Sequence, residues 1–118
     1  QHDPMHSASS YLEFGSPQAS ATQHFFCSLF GWPFTAMAEG GGYFDAPGLK
    51  IGLHGDDPTP QISVYFRVPD LAQAVAQVLA LGGSAEAMSA EEPGFGRFCN
   101  CHDPQGLAFG LHQMPTQG

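Results

Sequence analysis

Two hexapeptides, LKIGLH at 49–54 and LAFGLH at 107–112, share the frame Leu-x-apolar-Gly-Leu-His and place His54 and His112 two residues after a glycine. A second pair, SSYLEF at 9–14 and SVYFRV at 63–68, shares the frame Ser-x-Tyr-apolar-charged-apolar. Strand alternation puts Ser9, Tyr11 and Glu13, and again Ser63, Tyr65 and Arg67, on one face, with Leu12, Phe14, Val64, Phe66 and Val68 turned to a core. If Gly52 and Gly110 face inward, Lys50 with His54 and Ala108 with His112 face inward too. These side chains offer hydroxyls and imidazoles to hydrogen-bond a small ligand, rings to stack on a flat one and a carboxylate to attract a cation. His54, His112 and Glu13 are also the groups that could move a proton or hold a displaced metal ion. The plainer reading has the histidines at strand ends bonded to backbone, the tyrosines packed with satisfied hydroxyls, and Glu13 ion-paired with Arg67.

Other chemistry finds less support. Cys99 and Cys101 alternate onto one face of a strand, where two thiols simply pack. Gly40 to Gly42 form a turn with no lysine-containing phosphate loop after them, and no G-x-S-x-G elbow presents a serine nucleophile. With eleven acidic residues against Lys50, Arg67 and Arg97, the net charge is −8. Such a chain lacks the clustered cations that bind nucleic acid, and its field favours a neutral or cationic small ligand. An odd number of cysteines argues for reduced thiols, and no apolar run approaches the roughly 20 residues of a membrane span. A cytoplasmic protein is expected.

The elements that must position these residues also come twice. Each Ser-x-Tyr strand leads into a helix. The first opens on Ser16 and Pro17, carries Ala21, Phe25, Phe26, Leu29 and Phe30 as its apolar stripe, and stops at Gly31. The second is capped by Asp70 with Gln73 at the capping-box position, carries Leu71, Ala74, Val75, Val78 and Leu79, and closes at Gly82. Short strand-like runs follow each helix: FTAMAE, GYFDA and LKIGLH, then SAEAMS, GRFCNC and LAFGLH. The order βαβββ, repeated, predicts one α+β domain over residues 9–112. Its modules span about 9–54 and 61–112, with 55–60 as linker and 1–8 and 113–118 as flexible tails.

FFCSLFGWPF at 25–34, YFRVPDLAQAVAQVLALGG at 65–83 and GFGRFCNCHDPQGLAFGL at 94–111, in this order of elements, resemble the vicinal oxygen chelate superfamily of glyoxalases, bleomycin-resistance proteins and extradiol dioxygenases. The resemblance implies two βαβββ half-barrels, their mixed sheets curved round a shared cavity with helices outside, often completed by a homodimer. It also implies a divalent metal held by histidine and carboxylate side chains, whose positions fall here on Ser9, Gly52, Ser63 and Gly110. None of these four is a metal ligand, so no metal cofactor is expected. The expected function is metal-independent binding of an aromatic or cationic compound between the modules, without chemistry, like the drug-sequestering branch. The ligand would be lined by Ser9, Tyr11, Glu13, His54, Ser63, Tyr65, Arg67 and His112. The alternative is a glyoxalase-like lyase, isomerase or dioxygenase with a metal relocated to His54, His112 and Glu13.

Overall fold

The structure, a computed structural model, describes residues 9–37 and 40–115, with the side chains of Ser9 and Ser10 outside that description. The expected tails at 1–8 and 116–118 lie outside it as well. Two compact units form, one of residues 11–64 and the other of residues 65–115 with 9–10. The first module contains β1 (Ser9–Gly15), α1 (Ala19–Phe30), β2 (Phe34–Ala36), β3 (Gly42–Ala46) and β4 (Leu49–His54). The second contains β5 (Gln61–Arg67), α2 (Leu71–Ala80), β6 (Ser84–Ala85), β7 (Arg97–His102) and β8 (Ala108–Gln113). The expected βαβββ order therefore holds in both, and the fold is α+β.

Within the first module the strands lie in the order β2-β3-β4-β1, and within the second β6-β7-β8-β5. β1 runs parallel to β4 and β5 parallel to β8, while the remaining pairs in each module are antiparallel. The last strand of each module, the one that ends on histidine in the repeat, thus pairs with the first. That return connection is what the helix and two further strands provide.

Burial decides which helix faces matter. In the first module Phe14, Phe44, Ile51 and Leu53 form the core, with Leu12, Phe26, Cys27, Trp32 and Phe34 packed against it. Phe44 is fully buried, and the rings of Phe14, Phe26, Trp32 and Phe34 have their centroids 5.0 to 6.2 Å from it. The apolar stripe expected on α1 is corrected here. Phe25, Leu29 and Phe30 are more than half exposed, and of the expected stripe Phe26 meets the core, joined by Cys27. Four apolar residues within six positions cover a wide arc, so helical spacing alone does not select the buried part. α1 does end at Gly31, whose φ of 70° accompanies a backbone bond from its N–H to the Cys27 carbonyl.

The second core is Val68, Leu71, Ala74, Cys99, Cys101 and Leu111. Cys99 and Cys101 share this interior with their sulfurs 4.0 Å apart, and burial pushes the Cys101 thiol up to about 12. Asp70 caps α2 as expected, its side chain accepting from the Gln73 N–H at 3.1 Å. The Leu71 N–H is taken by the Gln113 side chain at 2.7 Å, which fixes the helix start to the end of β8.

Three further expectations change. α1 begins after Gln18, not at Pro17, and Ser16 braces it from outside by accepting from the Gln18 N–H at 3.2 Å and the Thr22 hydroxyl at 2.7 Å. The run SAEAMS supplies only the two-residue β6. β8 continues through Gln113, one residue beyond the expected module end.

Candidate functional site

Strand register builds the candidate site, because it decides which side chains lie over the repeated glycines. In the first module Glu13 on β1 and Tyr43 on β3 are the partners of Gly52 on either side. In the second, Tyr65 on β5 and Asn100 on β7 flank Gly110 in the same way. Gly15 faces His54 one step along, and Arg67 faces His112. Glu13 is therefore the counterpart of Tyr65, and Gly15 that of Arg67. This corrects the sequence pairing of Glu13 with Arg67, Tyr11 with Tyr65 and Ser9 with Ser63, each of which is off by two residues. A two-residue slip keeps every side chain on its face and changes only its neighbours.

The glycines do not leave open room. A Cβ at Gly52 would meet the Glu13 Oε1, and a Cβ at Gly110 would meet the Tyr65 ring. Each module fills its glycine rung from the neighbouring strand, one with a carboxylate and the other with a phenol. Tyr65 is buried, donates its hydroxyl proton to Asn100 Oδ1 at 2.7 Å and packs edge-on against Phe98 at 5.9 Å. It is a wall of the second module and not an open stacking surface.

Around Glu13 the arrangement is polar. Glu13 Oε2 accepts from His54 Nδ1 at 2.7 Å, so the partner of Glu13 is His54 and not the expected Arg67. The other nitrogen of His54 faces Asp57 Oδ2 at 3.5 Å. Asp57, in the linker between modules, also accepts from the Thr59 N–H at 3.1 Å and the Gln61 side chain at 3.0 Å. Gly15 makes this possible, since a Cβ there would lie 2.9 Å from His54 Nε2 and closer still to Asp57. Beside them, Lys50 Nζ sits 4.3 Å above the Tyr43 ring. Tyr43 and Asp57 were missed in the sequence. The alternation of GYFDA, with Phe44 turned to the core, was the available signal for Tyr43.

His112 has different surroundings. It is buried, its Nε2 lies 2.6 Å from the Phe95 carbonyl, and its ring lies on Phe95 with centroids 4.5 Å apart. Both nitrogens of His54 thus face carboxylates, and one nitrogen of His112 is held by backbone. A metal relocated to these histidines would have to break those contacts. Among the described residues no three His, Cys, Asp or Glu side chains form a metal-holding group. Of the other expected lining residues, Tyr11 and Ser63 are half-buried and Arg67 is exposed.

The two histidines titrate in opposite senses. The hydrogen bond to Glu13 holds His54 above the usual imidazole value, while burial pushes Glu13 itself above the usual carboxylate range. Burial holds His112 below the usual imidazole value. A raised histidine stabilises the fold below its unfolded value and loses that contribution as pH rises through its folded value. A lowered one contributes above its unfolded value and loses it as pH falls through its folded value. The stability difference between wild type and His54→Gln should therefore shrink above neutral pH, and that for His112→Asn should shrink below about pH 6.5. Thermal melts across this range check both, and two difference curves of the same slope would contradict the assignment.

The folding pattern is that of the vicinal oxygen chelate superfamily, a duplicated βαβββ unit. Methylmalonyl-CoA epimerase from Mycobacterium tuberculosis is similar over 92% of this chain and 88% of its own, with a TM-score of 0.70 at 14% identity. Homoprotocatechuate 2,3-dioxygenase from Brevibacterium fuscum is similar over 92% of this chain and 36% of its own, with a TM-score of 0.72 at 20% identity. These likenesses concern the fold. The chain belongs to the glyoxalase-like domain family, whose model matches residues 12–112. It is 29% identical to the anthracycline biosynthesis proteins DauV of Streptomyces sp. (strain C5) and DnrV of Streptomyces peucetius, over 88% of this chain and 46% of each of theirs. The chain spans about half the length of these curated relatives.

The superfamily's metal does not fit the residues present. Gly52 and Gly110 bring no donor atom, and Ser63 brings only a hydroxyl where imidazole or carboxylate is the usual donor.

Proposed function

We propose that this protein binds a small planar aromatic compound without using a metal, as a capture module and not as a metalloenzyme. The observation that carries this reading is the pair of glycine rungs. The places implied for metal-binding carboxylates are occupied by the Glu13 carboxylate, already bonded to His54, and by the buried Tyr65 ring. What remains on the first module's polar face is a half-buried aromatic ring at Tyr43 beside a carboxylate, which suits a flat ligand with one polar group. The similarity to proteins named for anthracycline biosynthesis supports a polycyclic aromatic as the ligand class. The strongly acidic chain favours neutral or cationic members of that class.

A thermal-shift screen of planar tricyclic and tetracyclic aromatics tests this. A ligand at a hundred times its Kd adds about 2.7 kcal/mol of stability, enough to raise the melting temperature by several degrees. A panel that leaves the melting temperature unmoved throughout would overturn the proposal.

A further inference from the structure

We infer that Glu13, lying over Gly52, forms a subsite for a protonated amine carried by the planar ligand, a specificity that rests on the binding function proposed above. Three observations on one face of the first module converge on it. Among the described residues, the Glu13 carboxylate has its hydrogen bond at Oε2, to His54, while Oε1 lies directly over the backbone of Gly52. That oxygen is held in place from behind and is directed over a residue with no side chain. On the opposite flank of Gly52 stands Tyr43. Adjacent strands lie about 4.8 Å apart, so Glu13 and Tyr43 stand one strand to either side of Gly52, and a flat ring lying on Tyr43 would present an ammonium at its edge to Glu13 Oε1.

The second observation is that the Tyr43 ring already attracts a cation. Lys50 Nζ sits 4.3 Å from its centroid, an ammonium on the face that a ligand would share. Lys50 is exposed and lies two residues before Gly52 on the same strand, so its side chain can swing away into water when a ligand cation arrives. The third is charge. Glu13, Asp57 and Asp45, the cross-strand partner of Lys50, outnumber His54 and Lys50, which leaves this face acidic even with His54 protonated. An incoming ammonium would donate to Glu13 Oε1 while the ring that carries it lies against Tyr43. The second module has no such pairing at Gly110, where the Tyr65 ring takes the place of the carboxylate. Amine recognition is therefore a property of one module and not of the duplicated pattern.

Calorimetric titration with 9-aminoacridine, a planar tricycle whose ring nitrogen is protonated at neutral pH so that its N–H groups share the positive charge, and acridone, its neutral tricyclic counterpart, tests the subsite. A charge-assisted hydrogen bond predicts that the protein binds aminoacridine about tenfold or more tighter than acridone. Glu13→Gln should abolish that preference, bringing aminoacridine affinity to within about twofold of acridone affinity. Lys50→Met, at an exposed position, should raise aminoacridine affinity severalfold by removing the internal competitor, a gain that misfolding cannot produce. Equal binding of the two probes, a preference that survives Glu13→Gln, or weaker aminoacridine binding by Lys50→Met would each overturn the inference and leave planar-ligand capture standing. If neither probe binds the unaltered protein, the inference fails together with the planar-ligand reading on which it rests.

Discussion

Gly110→Ala is expected to destabilise the protein by about 2–4 kcal/mol, whereas Gly52→Ala should cost less than about 1 kcal/mol. The new methyl group at 110 meets the ring of Tyr65, which is buried and fixed by its bond to Asn100 and its packing on Phe98. Moving that ring means overpacking the second module and losing the Tyr65 to Asn100 hydrogen bond together. At 52 the same methyl meets only the end of the Glu13 side chain, which a single side-chain hydrogen bond holds on a more open face. The Glu13 carboxylate would swing aside and loosen its bond to His54 while the backbone stays in place. Urea denaturation of the two variants checks the difference. Equal losses would show that the two rungs are not filled in the way described.

Phe44→Ala should produce the largest loss of all, about 3–5 kcal/mol. The side chain is fully buried at the centre of an aromatic group from β1, α1, β2 and the residue after Gly31, so its removal leaves a cavity bounded by Phe14, Phe26, Trp32 and Phe34. Stiff rings do not collapse into such a space as aliphatic chains do. Phe44→Leu fills part of the volume and should recover about half of the loss. Chemical denaturation measures both. A Phe44→Ala variant within about 1 kcal/mol of wild type would contradict the placement of Phe44 at the core.

How much of this could be read from the chain depended on distance along it. The faces of β1 and β5 were legible because polar and apolar residues alternate in SSYLEF and SVYFRV, and Phe14 and Val68 are buried as that alternation requires. The neighbours of those residues were not legible. Glu13 meets Gly52 through parallel pairing of strands separated by a helix and two further strands, and the repeated sequence frame differs from the true register by one full strand period. Asp70 was readable as a cap because its partner Gln73 is only three residues away. The role of Asp57 was not, since its contacts to His54 and Gln61 depend on how the linker folds back past Gly15.

The repeated Gly-Leu-His builds two chemically different rungs. His54 positions a carboxylate, His112 is packed beneath Phe95, and the two glycines admit different neighbours. Two copies of one strand sequence thus give a polar rung in the first module and a closed aromatic one in the second. The duplication supplied a common framework, and substitutions on the strands beside the glycines made the modules chemically unequal.

Metal-independent capture is tested most directly by calorimetric titration of chelator-stripped protein with a planar tricyclic aromatic, repeated after adding zinc, nickel or manganese. Saturable binding with the same affinity before and after metal addition is the predicted result. Binding that appears only once a metal is restored would contradict it.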